Sequence, residues 1–227
     1  MKYVYLFGNG SADGTAEMKN TLGGKGANLA EMNHLGIPVP PGFTITTEVC
    51  SYYYDNNKNF PEELDSELQN ALTATEEIMG SKFGDSTDPL LVSIRSGARQ
   101  SMPGMMETVL NVGLTSKTIP GLIEKTGNAR FVFDAYRRLI MMYADVVMEK
   151  AAGIEPESNK GIRHKLESLI DQHKEENNYK NDTDLNADDW KLLSEKFKNE
   201  IENTLENKFP DDPMEQLLGG IKAVFES

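Results

Sequence analysis

Three glycines crowd around one lysine in Leu22-Gly23-Gly24-Lys25-Gly26-Ala27-Asn28-Leu29. The chemistry such a segment offers is anion binding. Glycines let backbone N–H groups come close to an anion, a lysine supplies a point charge, and a helix starting here adds a favourable dipole. It is not a Walker A loop, which requires G-x-x-x-x-G-K-[ST]; here Gly26 follows the lysine and Lys19 stands where the first glycine should be. On spacing alone, a glycine turn carrying a solvated lysine is an equally admissible reading.

The second candidate is Ser93-Ile94-Arg95-Ser96-Gly97-Ala98-Arg99-Gln100-Ser101-Met102-Pro103-Gly104-Met105-Met106-Glu107-Thr108. A buried strand ends in Arg95, and a run of glycine, serine and methionine follows. An arginine at a strand's C-terminal edge can grip a phosphate with two prongs, and Gly104 lets the backbone close over it. A salt-bridged arginine with a methionine-filled turn is the alternative. Between Lys25 and Arg95 only Lys58 and Lys82 are basic. Two scarce cations, each at a glycine-bearing turn, are expected to approach one anion site.

Other constellations are weaker. Gly8, Gly10 and Gly14 miss G-x-G-x-x-G by one residue and read as a loop. His34, His164 and His173 have no metal-ligand partner at helical spacing, and no Ser/His/Asp or Cys/His arrangement suggests a nucleophile. Asp182-Thr183-Asp184 and Asp188-Asp189 lack EF-hand spacing, so no metal site is expected.

The elements that must position these residues can be read from period and punctuation. Tyr3–Phe7 is β-prone and ends at Gly8-Asn9-Gly10-Ser11; Phe43–Thr46 and Leu90–Ile94 read as further strands. A helix is expected from near Lys25, with Leu29, Met32 and Leu35 as its apolar face and Gly36 as its C-cap. Thr47 and Glu48 could open the next helix, and Leu64, Leu68, Leu72 and Ile78 mark another. The second half is helical: Asn128 to Lys150 around Val132, Tyr136, Leu139, Tyr143 and Val146, then helices marked by Leu166, Leu169 and Ile170, by Trp190 to Leu205, and by Met214 to Phe225. Asn186 and Asp212 are the expected N-caps of the last two. Residues 171–189, poor in apolar side chains, read as a solvated connector or mobile loop.

Composition narrows the partners. The 227 residues carry 23 Lys and Arg against 36 Asp and Glu, a formal charge of −13, so nucleic acid and anionic membranes are poor partners. With Cys50 as the single cysteine no intrachain disulfide forms, which suits a reducing compartment. No apolar run approaches the ~20 residues of a membrane helix, and Met1–Tyr5 lacks a secretory h-region. A cytoplasmic protein is expected, with organellar targeting left open.

Taken together, the motifs resemble pyruvate, phosphate dikinase over essentially the whole chain. The similarity lies in Leu22–Met32, in Gly36-Ile-Pro-Val-Pro-Pro-Gly-Phe43, in Val92–Thr108, in Tyr136–Tyr143 and in Phe209–Leu217. The Ser101-Met-Pro-Gly-Met-Met106 run separates it from phosphoenolpyruvate synthase. The resemblance implies an α+β fold, the first lobe of an ATP-grasp, with an all-helical insertion. Residues 1–111 with 198–227 would form the lobe and 112–197 the insertion. It further implies that Lys25 and Arg95 hold the ATP phosphates and act in catalysis, with Ser101, Gly104, Met105, Met106, Glu107 and Thr108 forming the loop over them.

The family's reaction passes a pyrophosphoryl group from ATP to a histidine on a separate domain, and yields AMP, pyrophosphate and phosphoenolpyruvate from ATP, orthophosphate and pyruvate. Family members are several times longer than this chain, so the resemblance implies a fragment, inactive alone. Its partners would be ATP or AMP and the remainder of the polypeptide: the second lobe with the magnesium ligands, the phosphohistidine domain and the pyruvate-binding barrel. The full-length protein would be a homo-oligomer. The rival reading is a stand-alone nucleotide-responsive or interaction module without catalysis.

Overall fold

The computed structural model describes residues 1–97, 108–149, 153, 154, 156 and 160–226. Helix and sheet are mixed, as an α+β chain requires. Among the described residues no helix is long and apolar enough to cross a membrane. Packing divides the chain into two compact units: Met1–Lys82 with Ser96 and Gly97, and Phe83–Arg95 with the described residues from Thr108 onward. Residues 83–95 pack with the helices that follow them.

The first unit is built on a three-stranded antiparallel sheet in the order β2 (Ser11–Ala12), β1 (Val4–Gly8), β3 (Gly42–Ile45). Asn9 and Gly10 connect β1 to β2 with φ of 52° and 75°. Positive φ at both central residues of a two-residue turn matches the right-handed twist of the strands, and Asn-Gly is its usual sequence. What read as a loop is thus a tight hairpin. The Glu67 carboxylate, on helix α3 (Glu62–Met79), accepts the Tyr3 and Val4 amides at 2.8 Å each and so ties helix to sheet. Helix α2 (Thr47–Asp55) begins where Thr47 and Glu48 predict.

Helix α1 (Lys19–His34) is present, but its inward face is not the expected one. Met32 and Leu35 are 36% and 67% exposed, whereas Leu22, Gly23, Gly26, Ala27, Ala30 and Asn33 are buried. Small residues let the helix axis approach the sheet more closely than leucines would, and that closeness replaces side-chain bulk as the source of packing. The C-terminus follows expectation: Gly36, at φ 72°, and Ile37 return their amides to Asn33 and Met32 in a Schellman turn.

The second unit holds a short pairing of β4 (Lys82–Phe83) with β5 (Pro89–Leu90) at its start, and the ladder of β6 (Val92–Arg95) with β7 (Thr108–Val112). From Ile119 on, the described regular structure is helical: α4 (Ile119–Thr126), α5 (Ala129–Tyr143), α6 (Ile162–Asn177), α7 (Ala187–Leu205) and α8 (Pro213–Glu226). Asn128, Asn186 and Asp212 accept amides of the first turns of α5, α7 and α8. Helix α5 passes into a π-helical turn at Ala144–Glu149, whose Glu149 carboxylate accepts the Ile162 amide at the start of α6. Trp190, Leu193, Phe197 and Ile201 of α7 are fully buried, packed with α5 and α6.

Residues 171–189 are solvated, most of them being exposed, but they are regular structure and not a loop. Helix α6 runs to Asn177, Asp182–Asp184 forms a 3-10 turn closed by a capping box, and Leu185 is buried. Ion pairs do here what apolar side chains do elsewhere: Asp182 meets Arg137 and Lys174, both 3.2 Å away, and the Arg137 guanidinium lies 4.3 Å from the Trp190 ring centre.

Two consequences for stability are measurable. Phe197→Ala lowers the unfolding free energy by ~3–5 kcal/mol in urea titrations, while Leu192→Ala, on the exposed side of α7, changes it by less than ~0.5 kcal/mol. The His173 ring lies 2.9 Å from Asp189. Burial opposes ionisation of Asp189, but the Asn186 amide and the His173 and Tyr179 side chains hold its carboxyl below the ordinary value. A carboxylate with a lowered folded-state pKa stabilises fully above its unfolded value, and loses that contribution as pH falls through the folded one. Asp189→Asn therefore flattens the acid limb of a stability-against-pH curve below about pH 4. An unchanged limb contradicts this.

Candidate functional site

Lys25 owes its position to Gly23. At φ 69° and ψ 172°, Gly23 interrupts α1, so the helix restarts behind it and Lys25 falls in the first turn after the break. Left-handed φ suits glycine, which lacks a Cβ. A Cβ at Gly23 would stand 1.5 Å from the carbonyl oxygen of Gly97. Three residues further on, a Cβ at Gly26 would meet Thr44 of β3 at 2.7 and 2.9 Å. One glycine thus admits the 96–97 backbone and the other admits the sheet. The Lys25 ammonium donates to the Ser96 carbonyl at 3.0 Å.

Arg95 ends β6, and its Cα partner across the antiparallel ladder is Thr108, the first residue of β7. Arg95 is exposed and Thr108 half-buried. Antiparallel pairing is what brings these two residues together across thirteen positions of sequence. The ladder carries an irregularity between Val92 and Ile94, with Asn111 at φ 61° opposite it, so the strand end bearing Arg95 is turned relative to its start. Ile94 reaches Gly220 of α8, where a Cβ would stand 2.4 Å from its side chain.

Of the sequence-predicted residues, then, Arg95 and Thr108 stand opposite each other, and Lys25 is bound to the residue that follows Arg95. Ser101, Gly104, Met105, Met106 and Glu107 lie outside the described residues. Two main-chain carbonyls also meet this segment and were not foreseen, Ser96 at Lys25 and Gly97 at Gly23. Backbone oxygens leave no mark on residue type; the only signal was Gly97, two places after Arg95.

The second unit has an open cleft of about 480 Å³ near α5 and α6. Its cations are already answered. Arg137 pairs with Asp134 and Asp182, Arg138 with Asp134, Arg163 with Glu167 and Asp145, and Lys174 with Asp171 and Asp182. An arriving anion would compete with carboxylates at each of them.

The tightness at Gly26 is testable. Gly26→Ala forces methyl against Thr44 and lowers thermal stability by an amount equivalent to ~1–3 kcal/mol. Adding Thr44→Ala removes both opposing atoms and restores most of the loss in calorimetry; additive losses contradict the contact.

With this geometry in view, the chain can be set beside known proteins. Residues 19–65, which contain the Gly23–Gly26 turn, match the family described as "Pyruvate phosphate dikinase, AMP/ATP-binding domain". All 227 residues align with pyruvate, phosphate dikinase of Clostridium symbiosum at 51% identity and with that of Rhizobium meliloti at 46%, in each case over 24% of the relative's length. The chloroplastic pyruvate, phosphate dikinase of Flaveria trinervia is 46% identical over the whole chain, which covers 22% of it. The chain spans about a quarter of the length of these relatives. Over its whole length the chain is thus similar to a part of the pyruvate, phosphate dikinases, and within that part residues 19–65 are similar to an AMP/ATP-binding domain.

Proposed function

We propose that this chain supplies one side of an ATP site in a pyruvate, phosphate dikinase, with Lys25 and Arg95 holding the phosphates. The observation that carries the reading is the Lys25 ammonium in the first turn after the Gly23 break, inside the segment matched to an AMP/ATP-binding domain. Helix N-termini and lysine ammonium groups both favour phosphate, and an arginine adds a planar fork for two oxygens. Thr108, opposite Arg95, offers a hydroxyl at the same strand end. Ser101, Gly104, Met105, Met106 and Glu107 complete the proposed cover over the phosphates. In architectural terms, 1–111 with 198–227 would be the ATP-grasp lobe and 112–197 its helical insertion.

The proposed reaction of the whole enzyme interconverts ATP, orthophosphate and pyruvate with AMP, pyrophosphate and phosphoenolpyruvate through a phosphohistidine. In it, Lys25 and Arg95 bind and orient the phosphate chain and offset the charge that develops as the bond to the transferred group breaks. A magnesium ion would neutralise further charge. Its ligands are proposed to come from the part of the relatives that this chain does not cover. The phosphohistidine domain, the pyruvate-binding barrel and a homo-oligomeric assembly are proposed on the same ground. Relatives from bacteria and chloroplasts fit either a cytoplasmic or an organellar setting.

The 227-residue chain is expected to bind ATP weakly and to transfer nothing. Calorimetric titration with ATP should show binding that Lys25→Met and Arg95→Ala each weaken by about ten-fold or more, the loss of one charge-assisted contact. Labelled AMP should not exchange into ATP in the presence of magnesium, orthophosphate and pyrophosphate. Binding untouched by either substitution overturns the assignment of these residues. Exchange that Arg95→Ala abolishes shows a complete active site within the chain.

A further inference from the structure

Val109 and Val112 of β7 are both fully buried, although three positions separate them. On a regular strand, residues three apart face opposite sides of the sheet. The ladder resolves the conflict with one extra residue: Val92 pairs with Val112 and Ile94 with Val109, so two steps along β6 match three along β7. Asn111 lies in that surplus at φ 61°, a left-handed conformation that asparagine tolerates and β-branched residues resist. Its side-chain amide donates to the Ala135 carbonyl of α5 at 3.3 Å, and its own carbonyl accepts the Leu114 amide at 3.2 Å.

One end of this arrangement is anchored. The fully buried Gln216 of α8 accepts the Gly113 amide and donates to the Leu114 carbonyl, each at 2.9 Å, directly after Val112. Arg95 and Thr108 are the last pair at the other end. With Val112 held opposite Val92, a β7 without its bulge would slip at the Arg95 end: Leu110 would come opposite Ile94, Val109 opposite Arg95, and Thr108 would pass beyond the pairing. An apolar side chain would then stand where a hydroxyl stands now.

We infer that Asn111 is a positioning residue: its left-handed backbone holds the bulge that keeps Thr108, and not Val109, beside Arg95, so that hydroxyl and guanidinium serve one phosphate together. Paired residues of an antiparallel ladder share a face, which is why register decides the partner of the arginine. The inference rests on the proposed phosphate role of Arg95 and deepens it, since it names what selects the second donor at that strand end. A merely structural asparagine would act through its bond to Ala135, and any residue lacking that bond would be equally harmful.

Titration of the 227-residue chain with ATP and with inorganic tripolyphosphate tests this, with far-ultraviolet circular dichroism as the check on folding. Thr108→Val should weaken both ligands about ten-fold, the loss of one hydrogen bond to a charged group. Asn111→Val should weaken them as much. Asn111→Gly, which keeps the left-handed backbone and gives up the bond to Ala135, should cost less than about two-fold, and Asn111→Val added to Thr108→Val less than about two-fold more. Equal losses in Asn111→Val and Asn111→Gly, losses that add in the double variant, or full affinity in either Asn111→Val or Thr108→Val overturn the inference and leave the phosphate role of Arg95 standing. Full affinity in Arg95→Ala overturns that role and the inference with it.

Register can also be read without a ligand. Cross-strand nuclear Overhauser contacts between backbone protons should join Arg95 to Thr108 in the unsubstituted chain and in Asn111→Gly, and Arg95 to Val109 in Asn111→Val. Should Asn111→Val fail to fold, Asn111→Ala, which opposes left-handed φ with less crowding, is read in the same way. An Arg95–Thr108 contact that persists at full strength in that variant overturns the inference.

Discussion

Missing side chains at positions 23 and 26 set the distances on which the first unit depends. Close approach to a helix backbone is possible where no Cβ intervenes, and here two such approaches occur within one helical turn of each other. One brings α1 onto the Thr44 side chain of β3; the other brings the Gly97 carbonyl onto the break in α1. The Lys25 side chain lies between these two positions in sequence and inherits its placement from both. A larger residue at either site would displace an element, not merely a side chain. The helix accordingly buries its small face and leaves Met32 and Leu35 outside.

Charge gives the same residues their weight. A chain with a formal charge of −13 repels a polyphosphate at long range, so any affinity has to be built locally, from cations held close to the ligand and partly shielded from water. Long side chains that pair with neighbouring carboxylates do not meet that need, as the cleft beside α5 and α6 illustrates: Arg137, Arg163 and Lys174 each answer two carboxylates there. Lys25, in the other unit, donates to the main-chain carbonyl of Ser96.

How much of this was legible in the sequence depended on which atoms did the work. Caps were legible because side chains make them: Asn186 and Asp212 both accept first-turn amides where the residue pattern placed them. The buried stripe Val132, Tyr136, Leu139, Tyr143 and Val146 was legible because bulk at helical period has one economical use. The inward face of α1 was misread because the apolar count favoured Leu29, Met32 and Leu35, whereas the packing used residues too small to register on any hydrophobic scale. Residues 171–189 were misread for the converse reason. Their order comes from Asp182, Asp184 and Asp189 acting as acceptors, and acidic residues look the same in sequence whether they are solvated or bonded. The main-chain acceptor at Ser96 had no residue signature at all.

That pattern bears on how a glycine-rich segment around a lysine should be understood. The usual argument assigns its glycines to the ligand, as N–H groups laid bare for an anion. Here two of the three have steric employment within the protein: Gly23 admits a carbonyl and Gly26 admits a strand. Neither function needs a ligand, so both are present in the free chain. Glycine in such a segment thus has work that no ligand asks of it: at one position it lets a carbonyl reach the helix, and at the other it lets a strand side chain do so.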